Sequence, residues 1–103
     1  MASTPEGKVK ERVKKFLKAN DIYFTMPFTA GYGASGVPDI LVCYQGKFIA
    51  IECKAGGNKP TALQAEHMNR ITQGGGIAVV VDENNTDATM VQLFGDEDGR
   101  LLK

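Results

Sequence analysis

The 103-residue sequence has no apolar run approaching the roughly 20 residues of a membrane-spanning helix, and it opens on Met-Ala-Ser-Thr-Pro-Glu instead of an apolar leader. Both absences set the expectation of a cytosolic protein with no membrane partner. Cysteine is scarce: Cys43 and Cys53 have neither CxxC nor metal-ligand spacing, which argues against a structural zinc site. There is no internal repeat and no linker, and a chain this short buries a single core, so residues 1–103 read as one domain. Net charge is absent as well, 12 Lys and Arg balancing 12 Asp and Glu, but the balance is uneven along the chain. Residues 1–20 carry six basic groups against Glu6 and Glu11, and residues 82–103 carry six acids against Arg100 and Lys103. That asymmetry permits a nucleic-acid face despite the neutral total.

The pattern of apolar residues predicts a mixed α/β chain. Ser3-Thr4-Pro5-Glu6 reads as a helix start, and Val9, Val13, Phe16 and Leu17 form one apolar stripe behind it. Ile22–Thr29 reads as a strand interrupted by Pro27, followed by the glycine-rich segment Gly31–Gly36. Two short strands, Asp39–Tyr44 and Lys47–Lys54, hinge at Gln45-Gly46. A helix from about Pro60 to Gln73 stops at Gly74-Gly75-Gly76, and the apolar Ile77–Val81 suggests a strand buried on both faces. Thr86–Phe94 forms a short final helix. The order α-β-β-β-α-β, with that helix after it, describes a mixed sheet flanked by helices.

The central hairpin carries the chemistry. A two-residue turn at Gln45-Gly46 sets Tyr44 opposite Lys47 and therefore Asp39 opposite Glu52. Alternation then puts Asp39, Leu41, Cys43, Phe48, Ala50, Glu52 and Lys54 on one face, and Ile40, Val42, Ile49, Ile51 and Cys53 on the core face. Directly opposed carboxylates destabilise a sheet by up to about 1 kcal/mol. A hard divalent cation, Mg²⁺ or Mn²⁺, relieves that conflict, with Lys54 beside it to orient a water and hold a phosphate oxygen. A local Asp/Glu–Lys ion pair at the rim is the alternative. Glu6 lies near the centre of the apolar helix stripe and can complete a metal shell, or serve a Ser3-x-x-Glu6 capping box. Gln64 has the same choice, between an inward catalytic position near Lys54 and a Thr61-x-x-Gln64 cap. Gly31-x-Gly33-x-x-Gly36 matches the dinucleotide pattern, but Val37-Pro38-Asp39 follows where a helix must start, so no nucleotide cofactor is expected. In that loop Tyr32 and Ser35 can touch a sugar-phosphate chain; Lys10, Lys14, Lys18 and Lys59 are candidates for phosphate contact.

Gly36-Val37-Pro38-Asp39, Ile51-Glu52-Cys53-Lys54 and Gln64 resemble the PD-(D/E)xK nuclease superfamily, and more narrowly its virus-type replication-repair (VRR-NUC) domains. The resemblance runs from Glu6 to about Val81. It implies a restriction-endonuclease-like core, with Asp39, Glu52 and the main-chain carbonyl of Cys53 holding Mg²⁺ or Mn²⁺. Glu6 matches the family's acid on the first helix, Lys54 its catalytic lysine and Gln64 its helix glutamine. The implied activity is metal-dependent, structure-selective DNA endonuclease chemistry. By analogy with stand-alone members, the chain is a homodimer acting on four-way (Holliday) junctions in phage or repair DNA. Cleavage of flapped or nicked DNA, and a non-catalytic DNA-binding module, are the alternatives.

Overall fold

The computed structural model describes residues 4–28 and 36–95. Its elements run α1 (Pro5–Ala19), β1 (Tyr23–Thr25), β2 (Ile40–Tyr44), β3 (Lys47–Cys53), α2 (Ala62–Gln73), β4 (Ile77–Val81) and α3 (Thr86–Phe94). The four strands form one sheet in the order β1-β2-β3-β4, with the first two pairings antiparallel and the last parallel. A parallel pair cannot be closed by a tight turn, and α2 supplies the crossover.

Thr4 caps α1: its hydroxyl oxygen accepts the Gly7 N–H at 2.9 Å, and Pro5 follows in the first turn, where its missing N–H costs nothing. The third helical position is therefore Gly7, which has no side chain to reach back, and the N-cap is Thr4; Ser3, expected to form a capping box with Glu6, lies outside the described residues. Val9, Val13 and Leu17 are buried, each worth about 1.5–3 kcal/mol relative to exposure. They pack against the face of Ile40, Val42, Ile49, Ile51 and Cys53, none of which is more than 2% exposed. Met90 and Phe94 of α3 close the same core, and the Tyr44 ring stands edge-on to Phe94 at 5.0 Å.

The hairpin register is the expected one. Tyr44 pairs with Lys47 and Ile40 with Ile51, through a turn in which Gln45 (φ 50°) and Gly46 (φ 77°) both take the left-handed region. Cys43 is accordingly exposed and Cys53 buried, on opposite faces, both as free thiols. Two strand expectations are corrected. The first strand covers three residues instead of Ile22–Thr29, because Pro27 lacks the N–H needed to extend a ladder; Ile22 enters the core and Thr29 lies outside the described residues. The fourth strand is not buried on both faces: only Val81 is buried, since β4 stands at the sheet edge and α2, with no buried residue of its own, covers it loosely.

Gly36 shows why a glycine precedes the Val-Pro-Asp segment. Its φ is +94°, and a Cβ there would lie 2.7–2.9 Å from the backbone of Leu63 and Gln64 at the start of α2. Left-handed strain and the backbone clash act together, so Gly36→Ala is expected to destabilise the fold by about 2–4 kcal/mol. A urea titration checks this, and a midpoint within error of the parent would refute the close packing.

Candidate active site

The last hairpin pair, Ile40 with Ile51, leaves Asp39 and Glu52 side by side just beyond the end of β2. Each carboxylate takes a backbone N–H from the other's neighbourhood. The Asp39 N–H donates to Glu52 Oε1 at 3.2 Å, and the Cys53 N–H donates to Asp39 Oδ2 at 2.9 Å. Each acid thus spends one oxygen on the fraying ladder and keeps the other for a charged partner. Asp39 Oδ1 lies 3.6 Å from Lys10 Nζ, and Glu52 Oε2 lies 3.5 Å from Lys54 Nζ. Four charged groups therefore follow one another, Lys10, Asp39, Glu52 and Lys54, with the two carboxylates side by side and an ammonium at either end.

The line is not self-sufficient. Glu52 is 2% exposed, and burial, reinforced by the Asp39 charge, pushes its carboxyl above the usual carboxylate range despite Lys54 beside it. A buried acid whose own ammonium does not restore its ordinary pKa gains from a second cation. The donors are oxygens, which suits Mg²⁺ or Mn²⁺. The Cys53 side chain points into the core, on the face away from the two carboxylates, and burial, then the Asp39 charge, pushes its thiol up to about 12. Asp39, Glu52 and a main-chain oxygen thus fit a hard divalent ion.

The other expected site residues separate. Glu6 is half-buried, and its negative charge helps hold the Cys53 thiol protonated. Among the described residues, however, no third His, Cys, Asp or Glu joins Asp39 and Glu52 in a ligand cluster, so Glu6 is not placed as a direct ligand. Gln64 is used by the helix. Its side-chain oxygen accepts the Thr61 N–H at 2.8 Å while its own N–H donates to Thr61 Oγ1 at 3.2 Å, the complete capping box that was one of its two expected uses. Lys14 pairs with Glu11 at 3.2 Å, Lys18 and Lys59 are exposed, and Tyr32 and Ser35 lie outside the described residues. Lys10 lies in the basic row by sequence, yet it reaches Asp39. The signal was present in its place four residues after Glu6, on the flank of the apolar stripe. Glu83 also escaped notice: its carboxylate accepts the Gly56 N–H at 3.1 Å and ties down the loop that follows Lys54.

Comparison with solved structures decides the fold. A structure described as a VRR_NUC domain superposes with a TM-score of 0.71 at 23% identity, covering 89% of this chain and 99% of that one. The fold is that of a VRR_NUC domain. A second VRR_NUC domain protein agrees, with a TM-score of 0.66 at 22% identity over 88% of each chain. No family model matches the sequence. Among curated proteins, "Putative nuclease p44" of Acyrthosiphon pisum secondary endosymbiont phage 1 is 39% identical over 59 residues, 56% of this chain. The match spans 63% of that phage protein. In the VRR_NUC fold seen here, the charged line sits at the open end of the central hairpin. No helix among the described residues is long and apolar enough to cross a membrane.

Proposed function

We propose that this protein is a metal-dependent DNA endonuclease that hydrolyses phosphodiester bonds at branched DNA, four-way junctions foremost. The observation that carries the reading is Glu52: a carboxylate 2% exposed, beside a second carboxylate and a lysine, at the mouth of a VRR_NUC fold. The phage relative described as a nuclease supports the same chemistry over the residues it shares.

Asp39, Glu52 and the main-chain carbonyl of Cys53 would hold Mg²⁺ or Mn²⁺. When bound, that ion supplies Lewis acidity at the scissile phosphate and lowers the pKa of water. Lys54, held at Glu52 Oε2, presents a fixed ammonium to the phosphate oxygens, where negative charge grows as water attacks phosphorus. Glu6 acts from the rim through water instead of direct ligation. Lys14, Lys18 and Lys59 follow the DNA backbone, with Tyr32 and Ser35 contributing from the glycine-rich segment. A homodimer with two such sites related by a twofold axis suits paired cuts in a four-way junction.

The test is cleavage of a labelled four-way junction, a linear duplex and a flap, each with Mg²⁺, Mn²⁺ or EDTA. The expected result is paired, metal-dependent nicks in the junction. Cutting confined to the flap or duplex would keep the chemistry and move the substrate. Binding of all three without cleavage would overturn the enzyme reading.

A further inference from the structure

Asp39 has two carboxylate oxygens, and they are not equivalent. Oδ2 is committed to the Cys53 N–H at 2.9 Å, a bond that closes the end of the β2–β3 ladder. Oδ1 is the oxygen without a backbone donor, and Lys10 Nζ stands 3.6 Å from it. Any divalent ion shared by Asp39 and Glu52 must therefore contend with an ammonium for one oxygen. The two lysines of the site are also unlike. The Lys54 side chain is 11% exposed and held against a buried acid, whereas Lys10 is 31% exposed and its partner 20%. Both separations, 3.6 and 3.5 Å, are longer than the roughly 2.7–2.9 Å of a strong N⁺–H···O⁻ hydrogen bond, so it is exposure that sets the two lysines apart. Lys10 is thus near enough to neutralise Asp39 and loosely enough held to leave it.

We propose that Lys10 is the stand-in cation of this site. It occupies Asp39 Oδ1 while no metal is bound, yields that oxygen when a divalent cation binds, and then faces the phosphate to be cut. The inference rests on the nuclease reading and deepens it. Lys10 leads away from the site along α1, with Lys14 and Lys18 following at intervals of four on one side of the helix. A released Lys10 ammonium therefore ends between the carboxylates and that basic row, where a sugar-phosphate chain entering the site would pass. No bond is made or broken by Lys10; it is a positioning residue that exchanges one anionic oxygen for another.

The experiment is calorimetric titration of Mn²⁺ into the parent, Lys10→Met, Lys10→Arg and Lys14→Met proteins, followed by single-turnover junction cleavage at saturating Mn²⁺. Removing a competitor that holds a partly exposed carboxylate tightens Mn²⁺ binding by about fivefold in Lys10→Met. The same loss of charge one turn further away, in Lys14→Met, changes affinity by less than about twofold. Cleavage by Lys10→Met nevertheless falls by about tenfold, and Lys10→Arg retains most of it. Tighter metal with slower cutting is a pair of signs that a structural ion pair does not produce. Parent and Lys10→Met proteins binding Mn²⁺ equally would overturn the role of Lys10 and leave the nuclease standing. A parent that binds no Mn²⁺ would overturn the nuclease reading, and this inference with it. Circular dichroism melts establish that each variant folds, and Lys10→Gln carries the same expectation should Lys10→Met not fold.

Discussion

Lys54→Ala is expected to slow phosphodiester cleavage by about 10²–10⁴-fold at saturating Mg²⁺, the range lost when a charge-stabilising or proton-handling group is deleted. The size of the effect follows from how Lys54 is held. Its Nζ lies 3.5 Å from Glu52 Oε2 with only 11% of the side chain exposed, so the ammonium is oriented before substrate arrives. The backbone around it is equally constrained: the Lys54 N–H bonds to the Val81 carbonyl at 2.9 Å, and Glu83 fixes the adjoining Gly56. Lys10 approaches from α1 on the Asp39 side of the pair, and Lys59 is exposed. Saturating Mg²⁺ is specified because a bound cation covers the Glu52 charge that the substitution leaves behind, so the assay reads chemistry and not folding. Junction binding, measured by gel shift in Ca²⁺, should change by less than about threefold, since one ammonium among several contributes little to the salt-dependent term. A cleavage rate within threefold of the parent would remove Lys54 from the mechanism.

Glu52→Gln has the second large effect, and it appears in two unrelated measurements. Cleavage should fall by at least about 10²-fold, because a neutral amide replaces the most buried anionic oxygen of the metal site. The stability effect runs the other way. Burial and the neighbouring Asp39 raise the Glu52 pKa above its ordinary 4.5, so the folded state holds that proton more tightly than the unfolded state does. The contribution of Glu52 to metal-free stability is therefore fully present below about pH 4.5 and is lost as pH rises through the elevated folded value. Glutamine does not titrate and lacks that loss. In EDTA, the difference in melting temperature between Glu52→Gln and parent should move in favour of the variant from pH 4 to pH 8. Taking the difference cancels the carboxylates remote from the site, whose contributions are common to both proteins. Mg²⁺ should then raise the melting temperature of the parent at pH 7.5 and leave the variant unmoved, because stabilisation by a ligand requires a site that binds it. Superimposable pH profiles in EDTA would mean that Lys54 already compensates Glu52 in full, and the case for a second cation would lose its physical basis.

Much of this site follows from short-range regularities. A two-residue turn at Gln45-Gly46 leaves one pairing for the hairpin, and the period of two along a strand then puts Asp39 beside Glu52, with Lys54 on the same face. The same period separates Cys43 from Cys53 and selects Ile40, Val42, Ile49 and Ile51 for the core. The stripe Val9, Val13, Leu17 foretells which side of α1 is buried, since a helix with one apolar face has one way to lie on a sheet. These are properties of neighbours a few residues apart, or joined by a tight turn.

What tertiary packing decided lies where elements far apart in the chain meet. Lys10 belongs to the basic row by sequence, but the way α1 crosses the sheet swings it onto Asp39, 29 residues away. Glu6 and Gln64 each had two uses open to them. Packing decided which of them caps a helix: Thr4 with Gly7 caps α1 without Glu6, while Thr61 and Gln64 form a complete capping box on α2. The apolar run Ile77–Val81 matches a central strand in composition, yet chain connectivity places it at the edge, where every residue before Val81 stays partly exposed. Gly36 is required by α2, which approaches it from 27 residues further on. By itself the sequence determined the hairpin, the core face and the pairing of two carboxylates with a lysine, because periodicity and turn geometry act locally. Only the fold determined which second lysine neutralises them and which polar residues remain free, because those depend on the angles and distances at which helices dock on the sheet.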